Sequence, residues 1–204
     1  MSKGTLFIIS APSGAGKTSL VQALIEMTDS LQISVSHTTR QPRQGEEHGV
    51  NYFFVAQDEF MQMLNSHLFL EHAQIYDNYY GTSQKWLTEQ LNAGIDIILE
   101  IDWQGAQQIR RLKPDSVSIF ILPPSRTALE ERLHNRGKDS EAVIAQRLQG
   151  AMNEISHYVE FDYLVVNDDF SQALKDLQTI IYSQRLTQIA HAPKLEEMLE
   201  ELLN

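Results

Sequence analysis

Thr5-Leu6-Phe7-Ile8-Ile9-Ser10-Ala11-Pro12-Ser13-Gly14-Ala15-Gly16-Lys17-Thr18-Ser19 decides the fold, because it joins two unlike segments through a glycine-rich turn. Thr5 to Ile9 is short, apolar and β-branched, the pattern of a buried parallel strand. Leu20-Val21-Gln22-Ala23-Leu24-Ile25-Glu26-Met27 carries apolar residues at helical spacing. Strand, Gly-rich loop, Lys-Thr and helix together predict a phosphate-binding loop. Gly14 and Gly16 free the backbone so that N–H groups can turn onto an anion. The helix that follows offers unpaired N–H groups and the positive end of its dipole. Lys17 adds a full charge near the β- and γ-phosphates, and Thr18 a hydroxyl for a divalent metal. The strict pattern asks for Gly at position 11, where this chain has Ala11.

Further strands are expected after this loop. Ile33 to Ser36 reads as a short one, Ile95 to Asp102 as a buried one with Glu100 and Asp102 on one face at its carboxyl end. In open α/β sheets that end is where ligands sit, and an acid there can serve hydrated metal or an arginine. Val117 to Leu122, closed by Pro123-Pro124, and Tyr163 to Asn167 complete the set. Helices are expected at 105–112, from an N-cap at Ser125, around Arg147, and as one long element from Ser171 to Ala190.

Residues 37 to 92 break this alternation and read as an inserted subdomain. His37 to Gly49 is polar and rich in turn formers, with Arg40 and Arg43 three apart across Pro42. They fit either a solvated basic turn or two cations converging on one anion. Tyr52 to Val55 is strand-like and Gln57 to Asn65 helical. Phe69 to Ile75 is a strand holding Glu71, and Asn78 to Thr82 a turn carrying two tyrosines. Ser83 to Ala93 is a helix stopped by Gly94. Further on, Arg132, Arg136 and Arg147 lie on short helices joined by a Gly-containing polar turn. That pattern fits a mobile lid, or surface charge paired with nearby glutamates.

Composition narrows the class. The chain has 204 residues, enough for one compact unit with a sizeable core. It has no cysteine, so no disulfide framework and no thiolate metal site. The seven histidines show no ligand spacing. Apolar runs are too short to span a bilayer, and the first residues lead directly into a core strand rather than a signal peptide. A cytoplasmic protein is expected. A net charge of −11 argues against binding long nucleic acid. After Pro193, Leu195, Met198, Leu199, Leu202 and Leu203 form an apolar stripe, expected to dock on the chain's own core or on a second copy, as a homo-oligomer.

The ordered set of motifs resembles guanylate kinase of the bacterial type. The residues that carry it are Ser10 to Lys17, Ser34 to Glu46, Tyr52 to Val55, Glu71-His72-Ala73, Asn78 to Thr82, Leu99 to Gly105 and Val165 to Asp169. The resemblance implies an α/β fold: a P-loop NTPase-like parallel sheet flanked by helices (1–36, 93–124, 159–204), an inserted mixed GMP-binding subdomain (37–92) and a helical lid (125–158). It implies transfer of the ATP γ-phosphoryl group to GMP, and to dGMP too, with Mg²⁺, in purine nucleotide metabolism. The phosphate loop, Ala11, Pro12, Ser13, Gly14, Ala15, Gly16, Lys17, Thr18 and Ser19, would hold ATP, with Asn167 on the adenine side. Ser36, Glu71 and Thr82 would touch guanine. Arg40, Arg43, Tyr52 and Tyr80 would hold the GMP phosphate. Lys17, Arg40, Arg43, Arg132, Arg136 and Arg147 would act in catalysis. Glu100 would line the GMP side, and Asp102 would lie near the nucleotide and, with Thr18, the metal. Two rivals remain at this stage. One is a kinase for AMP or dTMP, which would lack a carboxylate for guanine. The other is a non-catalytic binding module of this fold, which would lack the loop lysine and threonine.

Overall fold

A computed structural model describes residues 3–75, 77–135 and 141–204. The chain starts with β1 (Leu6–Ser10), the phosphate loop and α1 (Lys17–Glu26), then β2 (Leu31–Ile33). Next come β3 (His37–Thr38), β4 (Phe53–Phe54), α2 (Gln57–Asn65), β5 (Phe69–Ile75), β6 (Asn78–Ser83) and α3 (Gln84–Asn92). After these run β7 (Asp96–Glu100), α4 (Trp103–Leu112), β8 (Val117–Leu122), α5 (Arg126–Asn135) and α6 (Glu141–Ser156). β9 (Tyr163–Val166), α7 (Phe170–Arg185), α8 (Gln188–His191) and α9 (Glu196–Leu203) finish it.

The five strands β2-β7-β1-β8-β9 form one sheet in that order, and every pair in it is parallel. β1 lies at the centre and is buried throughout. Its side chains alternate between two layers, as strand geometry requires. Phe7 and Ile9 join Leu20, Leu24 and Leu177 under α1 and α7. Leu6 and Ile8 join Leu87, Leu91, Ala106 and Ile109 under α3 and α4. Each large aliphatic side chain so buried contributes about 1.5–3 kcal/mol. At the sheet's far end Asp96 accepts from Thr5 N at 2.6 Å and from Arg185 Nε at 2.7 Å, fastening α7 to the amino end of β7.

A second, mixed sheet runs β4-β3-β6-β5. The segment read as a strand from Ile33 to Ser36 is the bridge between the two sheets. Its last bond to the main sheet is Ser34 N to Ile98 O at 2.9 Å, and two residues later Ser36 O accepts from Phe53 N. The stretch read as a turn at Asn78 to Thr82 is the strand β6, paired on both sides. Gly81 is there for contact rather than turning: a Cβ would stand 2.9 Å from the Phe69 ring. The Gln108 side chain on α4 fixes this sheet to the core by imitating a strand partner, bonding both His72 N and His72 O.

The expected long helix from Ser171 to Ala190 is two. α7 ends at Arg185 with Leu186 as its C-cap, and Thr187 is extended, with its hydroxyl donating back to Gln184 O at 2.8 Å. That local competition with the helical ladder is a known habit of threonine.

Candidate active site

The phosphate loop follows β1 at the carboxyl edge of the sheet. Gly14 and Gly16 take φ of +93° and +90°, the left-handed conformations expected of them. Gly16 meets a second demand, since its Cβ would stand 2.5 Å from Asn167 Nδ2. That amide donates to Ala15 O at 2.7 Å, so the buried Asn167 holds the loop from behind. α1 starts at Lys17, so its first N–H groups have no partner within the helix.

β7 is the neighbour of β1 and brings Glu100 to the loop. Glu100 Oε1 accepts from Thr18 Oγ1 at 2.7 Å and lies 3.6 Å from Lys17 Nζ. Burial pulls the Lys17 ammonium below its ordinary value, and Glu100 opposes the shift. Asp102 lies beyond the end of β7. It is the N-cap of α4, accepting from Gly105 N at 2.8 Å. Thus Glu100, rather than Asp102, is the acid bonded to Thr18. The Thr18 hydroxyl and these two carboxylates are hard oxygen donors. They fit Mg²⁺, which takes one or two protein ligands and completes its shell with water and phosphate oxygens.

Across the cleft, β5 and β6 pair with Glu71 opposite Thr82. Thr82 Oγ1 donates to Glu71 Oε1 at 2.6 Å, and Ser36 Oγ lies 3.4 Å from Thr82 Oγ1. These three residues, far apart in sequence, form one cluster. Burial pushes the Glu71 carboxyl from 4.5 up to about 7; the Thr82 hydroxyl opposes the shift and Asp102 adds to it. Ser36, Tyr52, Glu71, Tyr80, Glu100 and Asp102 line one cleft of about 240 Å³, together with Ala11 and Lys17. The Glu71 carboxyl and the loop lysine Lys17 therefore face the same space.

The arginine loop is organised by Glu46, a residue to which the sequence assigned no role. Glu46 Oε1 accepts from Arg40 Nη2 at 2.9 Å and Oε2 from Arg43 N at 2.7 Å. Those bonds hold its carboxyl below the ordinary value. Arg40 lies 5.4 Å above the Tyr52 ring, and the Tyr52 and Tyr80 rings pack at 6.0 Å. Arg43 is exposed. Arg132 Nη2, on α5, donates to Asn167 O at 2.9 Å. Arg147 is exposed on α6, and Arg136 lies outside the described residues. Glu154, a second residue the sequence did not single out, accepts from Ser13 N at 3.0 Å. Glu46 was findable as an acid within the arginine run; Glu154 looks like any helix-surface acid.

A phosphate loop at the carboxyl end of a parallel sheet, with a second sheet facing it, defines a nucleotide-binding protein of the P-loop class. Comparison with known proteins narrows this. The family model described as "Guanylate kinase" matches residues 3–184. The guanylate kinase of Hahella chejuensis is 55% identical over 204 residues, covering 100% of this chain and 98% of that one. Those of Photobacterium profundum and Escherichia coli K12 are 56% and 55% identical, each covering 100% of this chain and 99% of theirs. The crystal structure of guanylate kinase from Anaplasma phagocytophilum superposes with a TM-score of 0.79 at 33% identity, covering 98% of this chain and 96% of that one. The chain belongs to the guanylate kinase family.

Proposed function

We infer that the chain transfers the γ-phosphoryl group of ATP to GMP, giving ADP and GDP, and that dGMP is also accepted. One observation carries this: Glu71, buried and bonded to the buried Thr82 beside Ser36, lines with Ser36 the same cleft as Lys17 and Glu100. Guanine offers N1–H and N2–H side by side, and an ionised Glu71 can accept both. The test is ADP release across GMP, dGMP, AMP and dTMP at equal concentration. Turnover is expected with the two guanine nucleotides; AMP or dTMP turned over at a comparable rate overturns the guanine assignment.

No covalent intermediate is needed. The GMP phosphate is the nucleophile, and the protein's work is positioning and charge stabilisation. Loop amides and Lys17 hold the ATP phosphates, Asn167 supports the loop on the adenine side, and Tyr52, Tyr80, Arg40 and Arg43 take the GMP phosphate. Arg132, Arg136 and Arg147 belong to a lid, 125–158, whose closure over the GMP-binding part, 37–92, and the core excludes water. Mg²⁺ is the metal, held by Thr18, with Glu100 and Asp102 near it. When bound there it would supply positive charge beside the phosphates. ATP and GMP are the partners, and with them the work lies in purine nucleotide metabolism in the cytoplasm, without nucleic acid or membrane. Among the described residues no helix is long and apolar enough to cross a membrane.

Arg43→Ala is expected to raise the KM for GMP at least about tenfold and the KM for ATP far less, because a bidentate arginine–phosphate contact is lost. A shift of the ATP KM instead would move this loop to the other substrate.

The tail stripe is exposed on α9, with Met198 at 46% and Leu202 at 72%. We propose that a second copy of the chain covers it. Deletion of residues 194–204 should then lower the mass seen in solution; an unchanged mass removes the homo-oligomer.

A further inference from the structure

The phosphate loop is braced from outside by the two lid helices. α5 closes on Gly14: a Cβ there would stand 2.9 Å from Leu129 Cδ1 and 3.2 Å from Leu133 Cδ2. α6 adds a polar bond, Ser13 N to Glu154 Oε2 at 3.0 Å. Both helices share one apolar cluster of Leu129, Leu133, Ile144, Leu148 and Ala151, so a bond at Glu154 sets the place of the pair.

Glu154 occupies a poor position for an acid. It lies in the last turn of α6, where the helix dipole disfavours negative charge. Burial pushes its carboxyl up; the Ser13 amide opposes the shift, Asp102 adds to it, and Lys17 opposes it. A carboxylate held there against burial, dipole and a like charge is doing something other than facing solvent. Arg147 is seven residues earlier on the same helix. At 100° per residue that is about 20° short of two full turns, so both side chains leave one face, about 10 Å apart along the axis.

We infer that Glu154 is a positioning residue: it pins the base of α6 to the phosphate loop so that Arg147, two turns further out on the same face, reaches the transferring phosphoryl group. This rests on the assignment of Arg147 to the lid arginines above. Glu154 touches no reacting atom in this role. Its removal lowers turnover only through the misplacement of Arg147.

The experiment is a cycle of Glu154→Ala, Glu154→Gln, Arg147→Ala and the Glu154→Ala, Arg147→Ala double variant, with kcat, both KM values and melting temperature read for each. Arg147→Ala alone should lose about a hundredfold or more in kcat. Glu154→Ala should lose at least about tenfold in kcat with the GMP KM within about twofold, since a small misplacement is costly to rate. Glu154→Gln keeps an acceptor for Ser13 N–H and should recover most of that loss. The double variant should be no slower than Arg147→Ala. Multiplying losses, a Gln variant as slow as the Ala variant, or Glu154→Ala at wild-type kcat beside a slow Arg147→Ala each overturn the proposal alone. Arg147→Ala at wild-type kcat overturns the lid-arginine assignment, and the proposal with it.

Discussion

Lys17→Met is expected to leave the protein folded and to lower kcat by about a thousandfold or more, equivalent to about 4 kcal/mol of transition-state stabilisation. Lys17 is a half-buried cation beside the phosphate loop, 3.6 Å from Glu100. Phosphoryl transfer brings two anions together and spreads charge over the transferring oxygens, so a fixed ammonium at that place acts on the transition state directly. Methionine keeps the length of the side chain and removes the charge. The fold should tolerate this, because Glu100 keeps its bond from Thr18 Oγ1 at 2.7 Å. The measurements are kcat with saturating ATP and GMP, and the melting temperature. A folded variant retaining more than about a tenth of wild-type kcat would sink the phosphate-loop assignment.

Glu71→Gln is expected to lower kcat/KM for GMP at least about tenfold and to narrow the GMP/AMP ratio. Guanine needs two acceptors, and the amide offers one acceptor and one NH₂ donor. Adenine presents N6–H and the N1 lone pair, which one orientation of that amide matches. Sites built on such hydrogen bonds can reach discrimination of about 10⁴–10⁵, because a wrong partner leaves buried polar groups unpaired. An unchanged GMP/AMP ratio would falsify the assignment of Glu71.

The same residue predicts a pH dependence with a definite sign. Its carboxyl is raised from 4.5 to about 7, mainly by burial. The protonated form is favoured in the folded state, so the stability it contributes is fully present below pH 4.5 and is lost as pH rises through about 7. Guanine's two N–H groups need the ionised form, so GMP binding near pH 6 should release a proton from Glu71. Calorimetry in two buffers of different ionisation enthalpy measures it, and subtracting the Glu71→Gln value removes any proton lost by the GMP phosphate. An equal proton count for both proteins would show that Glu71 is ionised before GMP arrives or is not its partner. The neutral variant should also melt higher than wild type at pH 8, because it buries no charge there.

Local sequence determined a great deal here. The phosphate loop was legible because Gly14, Gly16, Lys17 and Thr18 fall between an apolar β-branched run and a helical one, and each residue type answers a local need. The positive φ of both glycines, the limits of α2, β5 and β8, and the Ser125 cap, whose hydroxyl accepts from Ala128 N, agree with patterns spanning a few residues. Partner-dependent features were not legible. β6 carries Asn, Gly and Thr and looks like a turn, but two neighbouring strands pair with it and the Phe69 ring needs the space beside Gly81. Ser34 to Ser36 has strand composition, yet the chain crosses there from one sheet to another. Asp102 has strand spacing from Glu100, yet the start of α4 claims it as a cap. Register alone sets Thr82 against Glu71, and burial by the whole second sheet raises that carboxyl. The bond from Ser13 to Glu154 joins residues 141 apart, and no periodicity marks it. Short-range patterns select elements because helix and strand periods repeat within a few residues; which polar groups meet is decided only when those elements pack.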